Sequence, residues 1–471
     1  MYNIILIDGL GFLIESILKN TDWHITLLIV RNNVTKQRYL GNPRIDKIYH
    51  STEFMQIESA ENIDFEFYKQ FEKHYRTVDS GLRRLKYDYQ FARYHFFMGL
   101  SVWREIFKET RVDFCLYSAL EHGIVEDTIP MKVAAYFGIE FYSVIQINRN
   151  MCVVYDHLND VMLQRRNIAS EQLITKLLYK DAYYFKNVKT CSKGKKTFKQ
   201  FLVSIAFNKI GNLAYVLYDC LQNRSLDFKW YEDRRIETNL LYYLDCFAKW
   251  KFIQYKNQKR SVSVDYSKKY VVYFLHFEPE AVVVNYSNHM DSQLINIKML
   301  AKSLPKDWVM YVKEHPIARK LNSTKGYAHF IEFYCKYNSD WYWNEICKIK
   351  NVFLADINES ATKLIKNSQA VSTIAGTVIE EAIIEKKPCI IFSNPKKNIF
   401  SKCDNVYAVS SFSECKEVIN KIKSTDFVCN EEKISNLTPY IMPNTVEGHA
   451  YALKMIREDV EAKKNSNINL L

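Results

Sequence analysis

Along the N-terminal part of the chain, apolar runs alternate with amphipathic stretches in the order a parallel sheet requires. The run YNIILI (2–7) predicts a strand, DGLG a turn, FLIESILK (12–19) a helix and HITLLIV (24–30) a second strand. Further on, VDFCLYS (112–118) and EFYSVIQ (140–146) bracket TIPMKVAAYFG (128–138). Pro130 near the start and Gly138 at the end of that stretch are helix start and stop signals. Between about 155 and 255 the strand signal fades into a helical, aromatic and basic region, as in KLLYKDAYYFKNVKTCSKGKKTFKQFLVSIAF (176–207).

The polar stretch KNQKRSVSVDYSKK (256–269) reads as a linker, and a more regular series follows it. Strands are expected in YVVYFLHF, WVMYVKEHP, NVFLADI, AVSTIAG and PCIIFS. Helices are expected between them in DSQLINIKMLAKSLP, WYWNEICKIK, ESATKLIKNS and VIEEAIIEKK. Leu294, Ile297, Ala301 and Leu304 follow 3, 4, 3 spacing on one helical face. Apolar strand cores alternating with helices predict a doubly wound parallel sheet covered on both faces. The expected division is an N-terminal domain over 1–262, with a helical insertion, and a C-terminal domain over 263–471. A last helix in SECKEVINKI and a tail in EGHAYALKMIREDVEAKK, placed to pack back across the linker, complete the series. Two Rossmann-like domains in tandem predict a cleft between the carboxyl ends of two sheets, where ligands bind.

A chain of 471 residues supports two such cores, and no uncharged apolar run reaches the ~18 residues of a membrane span. The start MYNIILIDGLGF lacks a basic n-region and a cleavage site, so the expected location is cytoplasmic. Eleven cysteines without a C-x-x-C pair suggest neither a zinc cage nor a disulfide framework. The net charge of +12 favours an anionic partner. Without a zinc-finger or RNA-recognition signature, nucleic acid is the weakest choice. A phosphorylated substrate and peripheral contact with anionic lipid carrying the acceptor stand ahead of it, the basic stretch 186–199 being the proposed contact.

Four constellations carry candidate chemistry. In STIAGTVIEEAIIEKKPCIIF (372–392), Thr377 and Glu380 have the spacing of a helix capping box, which accounts for both without a ligand. Gly376 and Glu381 are left over: a glycine beside a helix start admits a phosphate, and a carboxylate one turn in can accept ribose hydroxyls. In KEHP (313–316), Lys313 and His315 end a strand where they can bind a diphosphate or nucleotide phosphate and stabilise the departing charge. In FLHFEPEA (274–281), His276, Glu278 and Glu280 alternate, so they share one side if the strand continues past Pro279. In SALEHGIVED (118–127), Glu121 and His122 follow a strand and are candidates for the base that deprotonates an acceptor hydroxyl. DGLGFLI lacks the third glycine of a dinucleotide fingerprint, SKGKKT lacks the first glycine of a phosphate loop, and no Asp-x-Asp offers a divalent metal a place against a sugar diphosphate.

Taken together, YVVYFLHFEPEA, DSQLINIKMLAKSLPKDWVMYVKEHP, NVFLADI and AVSTIAGTVIEEAIIEKKP resemble the bacterial capsular polysaccharide biosynthesis glycosyltransferases, which include the Kdo transferases. The resemblance covers residues 270–395; in the N-terminal domain it rests on the Glu-His after a strand and on MKVAAYFGI. The His-Pro element and the small-residue turn are also similar to those of sialyltransferases, which use CMP-activated donors. The resemblance implies a GT-B fold, metal-independent transfer with no cofactor beyond the nucleotide-sugar (a CMP-sugar favoured), and an oligosaccharide or lipid-linked acceptor. By position, Lys313, Glu314, His315 and Pro316 would lie near the donor phosphate, Ser372, Thr373, Gly376 and Thr377 would cradle it, and His276, Glu280 and Glu381 would complete the donor side. Lys386 stands where the family has glycine, and Glu380 is an additional acid. Alternatives are a sugar-nucleotide epimerase of the same fold and a non-catalytic subunit of a polysaccharide assembly complex.

Overall fold

The computed structural model describes the chain except residues 9–10, 12, 55–56, 58–62, 75–88, 121–127, 165–171, 179–216, 219, 223, 226, 230–236, 279–282, 284–285, 288–289, 320–329, 425–430 and 469–471. Its chain path divides into two units. The first is Met1–Arg83, Tyr87–Asp181 and Glu432–Leu471; the second is Arg84–Lys86 and Ala182–Glu431.

In the first unit, β1 (Asn3–Asp8), β2 (His24–Val30), β3 (Ile45–His50), β4 (Phe114–Leu120) and β5 (Glu140–Asn148) form a parallel sheet in the order β3-β2-β1-β4-β5. Apart from the edge strand β3, the strands are near-continuous apolar runs because both faces are covered, and alternate residues go to opposite cores. Ile4, Leu6, Leu28 and Leu116 join the core on one face, while Ile5, Ile7, Ile29 and Cys115 join that on the other. Helix α1 (Leu13–Asn20) buries Leu13, Ile14 and Ile17 on the first face. Helices α2 (Tyr89–Glu109) and α3 (Thr128–Tyr136) cover the second with Phe96, Trp103, Ile129 and Val133.

The sheet then turns antiparallel, which the apolar pattern alone did not reveal. β6 (Met151–Asp156), buried throughout, returns along β5, and β7 (Val161–Met162) pairs with it.

In the second unit a small pair, β8 (Asp227–Lys229) and β9 (Glu237–Asn239), precedes helix α4 (Leu240–Arg260). Its main sheet is parallel throughout: β10 (Lys269–Phe274), β11 (Trp308–Lys313), β12 (Val352–Leu354), β13 (Ala370–Thr373), β14 (Cys389–Ile391) and β15 (Val406–Ala408), in the order β12-β11-β10-β13-β14-β15. Counting these strands from one, the order is 3-2-1-4-5-6, the Rossmann arrangement. Both units are therefore doubly wound α/β structures, the element content that the GT-B expectation requires. Helix α5 (Gln293–Ser303) buries Leu294, Ile297 and Ala301, as their spacing predicts.

Two expectations about boundaries are corrected. The stretch 256–269 is not a free linker: its first residues close α4, whose Trp250 and Ile253 lie in the core of the second unit. Val262 then donates its N–H to Leu354 O (2.8 Å) and accepts from Asp356 N (3.1 Å), lying along the sheet edge. The C-terminal tail also leaves the domain that 263–471 was expected to form. β16 (Met442–Pro443) pairs antiparallel with β6, and helix α11 (Val446–Ile468) places Ala452, Leu453, Ile456 and Val460 in the first unit's core.

The nine cysteines among the described residues are free thiols. No described helix is long and apolar enough to cross a membrane.

Candidate functional site at the strand ends of the second unit

A Rossmann order has its switch point between strands one and four, here β10 and β13, whose successor chains lead to opposite faces. The chain leaving β10 carries His276 and Glu278; the chain leaving β13 carries Ile374, Ala375, Gly376 and Thr377. His276 spans the point. Its buried Nε2 accepts from Ala375 N (2.9 Å) and lies 3.2 Å from Thr373 Oγ1, which fixes the imidazole proton on Nδ1 when the ring is neutral. Its backbone is held by Gln293 at the start of α5: His276 N donates to Oε1 (2.8 Å), and Nε2 of Gln293 donates to Glu278 Oε1 (3.2 Å).

Gly376 has φ +102°, a region that L side chains rarely adopt, and a Cβ there would lie 3.2 Å from His276 Cε1. The glycine is therefore required by the protein's own conformation and by the packed imidazole, before any ligand is considered. The expected capping box is absent: Thr377 is in the helical region (φ −62°, ψ −17°) and makes no side-chain cap bond to α9 (Val378–Ile384), and Glu380 is buried. With Gly376 turning the chain, the cap position adopts helical dihedrals, and its hydroxyl no longer has the extended geometry that reaches the N3 amide. Glu381, half-buried, lies in the first turn of this helix.

At the end of β11, Lys313 is buried and donates through Nζ to Asp356 O (2.8 Å) and Ile357 O (2.6 Å). The expected phosphate ligand is thus engaged in holding the loop after β12. Glu314 is also buried and accepts from Tyr334 Oη (2.5 Å) on α6 (Phe330–Tyr337). Burial, followed by the Glu314 charge, pushes the Tyr334 phenol well above its ordinary pKa, so it remains a donor to that carboxylate. His315 is half-buried, its ring 6.2 Å from that of Phe277; its Nδ1 accepts from Ile317 N (3.3 Å) as Pro316 opens a short 3₁₀ turn.

Ser372 and Thr373 are buried within β13, and Thr373 Oγ1 lies 3.2 Å from Phe274 O and 3.1 Å from Ala375 O. β10 ends at Phe274, so His276 and Glu278 do not share a strand face; Glu280 lies outside the described residues. Glu121 and His122 also lie outside them. The structure thus brings His276, Thr373 and Gly376 together as one lock and sets Lys313 and Glu314 beneath the strand ends. Gln293 and Tyr334 were missed because neither lies in a recognisable motif. Among the described residues no group of three or more His, Cys, Asp and Glu could hold a metal ion.

The corresponding switch point in the first unit, between β1 and β4, is filled from within. Asp8 is buried and accepts from Gly11 N (2.8 Å), Leu13 N (3.0 Å), Ile14 N (3.1 Å) and the Ser118 hydroxyl. Burial raises its pKa despite these bonds. An internal carboxylate occupies the place where a Rossmann fold would receive a phosphate.

No protein-family model matches the chain, and no curated protein matches it. Among solved structures, UDP-GlcNAc 2-epimerase of Methanocaldococcus jannaschii in complex with UDP-GlcNAc and UDP is similar at 12% identity and TM-score 0.30, over 97% of this chain and 99% of that one. S. aureus MnaA with UDP is similar at 10% identity and TM-score 0.32, over 98% and 97%. The β-Kdo 2,7 transferase KpsC of Thermosulfurimonas dismutans is similar at 11% identity and TM-score 0.30, over 76% and 89%. At these scores the fold assignment rests on the strand orders themselves.

Proposed function

We propose that the chain is a sugar-nucleotide enzyme, and specifically a glycosyltransferase that binds its donor at the strand ends of the second unit. The observation that carries this reading is the 3-2-1-4-5-6 order, because a parallel sheet of that order offers its ligand crevice at the β10/β13 switch point. The first unit supports the same assignment, since Asp8 already accepts from the Leu13 and Ile14 amides at the start of α1. Sugar transfer onto a polysaccharide or lipid-linked acceptor is the reaction implied by the KEHP and GTVIEEA elements.

In this reading His315, at the carboxyl end of β11, would bind or protonate the departing phosphate. Lys313 and Glu314 act as positioning residues. Glu121 or His122 would be the acceptor-side base. The leaving nucleotide would be neutralised by protein groups, a proposal that follows from the lack of an Asp-x-Asp in the sequence.

Thermal stabilisation by CMP, UDP and GDP and by their sugar conjugates tests the reading. A ligand present at about 100 times its Kd adds ~2.7 kcal/mol. CMP is expected to give the largest shift, and transfer to an acceptor is expected to persist in EDTA. No shift with any nucleotide would overturn donor binding. Conversion of the donor without an acceptor would assign an epimerase, and loss of transfer in EDTA with recovery on magnesium or manganese would overturn the metal-free mechanism.

A further inference from the structure

Helix α4 is amphipathic in an unusual sense. Its inward face, Tyr243, Cys246, Trp250, Ile253 and Asn257, is buried in the second unit, and Trp250 Nε1 donates to Ala318 O (2.9 Å). A surface helix with one buried face normally turns polar residues outward. The outward face of α4 instead carries Leu241 (64% exposed), Leu244 (40%), Ala248, Phe252 (55%) and Tyr255 (59%). At 3.6 residues per turn these five fall within an arc of roughly 80°, in a stripe about 21 Å long from Leu241 to Tyr255.

Lysines line this stripe. On the same projection Lys251 borders one margin, Lys249 and Lys256 the other, and Lys259 continues the stripe beyond Tyr255. Three of these ammonium groups lie over aromatic rings: Lys251 over Trp250 (4.2 Å to the centroid), Lys256 over Phe252 (4.5 Å) and Lys259 over Tyr255 (5.8 Å). The helix holds five basic residues against one acidic residue, Asp245, which pairs with Lys249. On the neighbouring helix α7 (Asp340–Cys347), Asp340 pairs with Lys256 and Arg260, and the next residue, Trp341, is 64% exposed. Basic groups remain in excess after both acids are counted.

We propose that the outward face of α4 is a docking surface for an anionic lipid bilayer. An apolar stripe bearing Phe and Tyr, bordered by lysines with flexible stems, is the chemistry of a helix lying in the plane of a membrane interface. The aromatic and leucine side chains enter the acyl boundary, and the ammonium groups remain among anionic headgroups. Charge selects this occupant: a bilayer with negative headgroups complements the lysine margins, whereas a second copy of this face would oppose them. The observation is independent of the sugar-nucleotide reading, although that reading explains why an enzyme with a lipid-linked acceptor would sit on a membrane.

The test is cosedimentation of the full chain with vesicles of phosphatidylcholine alone and of phosphatidylcholine with phosphatidylglycerol, across a salt series. The unmodified protein is expected on the anionic vesicles, released by salt. Phe252→Ser with Tyr255→Ser is expected to weaken binding by about tenfold or more. Lys251→Glu with Lys259→Glu is expected to weaken it by at least about fivefold per lysine and to flatten the salt dependence. Because Phe252 and Tyr255 are exposed, the serine variant should keep the unmodified thermal midpoint, and both variants should keep the nucleotide-induced shift. Equal partitioning onto both vesicles, no partitioning onto either, or full binding by the serine variant would overturn the proposal. So would a concentration-dependent dimer abolished by the same serine substitutions, which would assign the face to a second copy. Vesicle binding as expected, without a nucleotide shift, would support the lipid surface while the donor reading failed alone.

Discussion

At the scale of single residues, the most informative contact is the lock between His276 and the turn after β13. Gly376→Ala forces a side chain into φ +102° and against the imidazole, which should cost about 1–3 kcal/mol of stability. His276→Ala leaves the buried Ala375 N–H without its acceptor, at about 1–3 kcal/mol. Because removing the ring also removes the clash, the double variant should lose less than the two single losses combined, measured from urea midpoints in a double-mutant cycle. Full additivity would show that ring and turn act independently. His315→Ala should behave differently, changing stability by less than about 0.5 kcal/mol while lowering sugar transfer. A rate equal to that of the unmodified protein would remove His315 from the donor side.

Among the secondary-structure elements, α11 is held to the first sheet by Lys463, whose ammonium reaches Asp156 Oδ2 (2.6 Å), Glu140 Oε2 (2.8 Å) and Asp459 Oδ2 (2.9 Å). Burial pushes the Asp156 carboxyl up, but the Lys463 and Asn159 side chains outweigh it and hold the pKa below its ordinary value. The unfolded state then binds more protons than the folded state between the two values. The contribution of Asp156 is present above its unfolded pKa and is lost as pH falls through the folded one. Lys463→Met should strand that buried carboxylate and cost about 3 kcal/mol, read as a lowered denaturant midpoint near neutral pH. The loss should shrink in acid; an unchanged midpoint at neutral pH would make the cluster energetically idle.

The same scale shows what the sequence could disclose. β1, β2, β4, β10, β11, β13 and β14 were legible because strands covered on both faces are uninterrupted apolar runs. Helix α4 was obscured because it carries apolar residues on both faces, and its polar last turn, KNQKR, reads as a linker. The His276 lock could not be read at all, since it joins positions 99 residues apart through a ring and a backbone amide. The capping box was read from correct residue types, but the pattern cannot register that a left-handed glycine has already turned the chain.

For the molecule as a whole, the decisive feature is that the first unit is discontinuous while the second is nearly continuous. A fragment spanning 182–431 should therefore unfold cooperatively on its own, whereas 1–181 should not. The latter lacks β16 along β6 and the Leu453, Ile456 and Val460 side chains that close its core. Fusing 432–471 to 1–181 should restore a cooperative transition by circular dichroism, and a cooperative transition in 1–181 alone would refute this account. The return of the chain also sets an order of events on the ribosome. At about 5–20 residues per second, residues 182–431 take roughly 10–50 s to synthesise. Throughout that interval the face of the earlier-made sheet bearing Ile4, Leu6, Leu28 and Leu116 has α1 but lacks α11, whose Ala452, Leu453, Ile456 and Val460 complete its cover. The later-made unit is thus free to fold first, and the nascent N-terminal half is the part of this protein that most needs a chaperone.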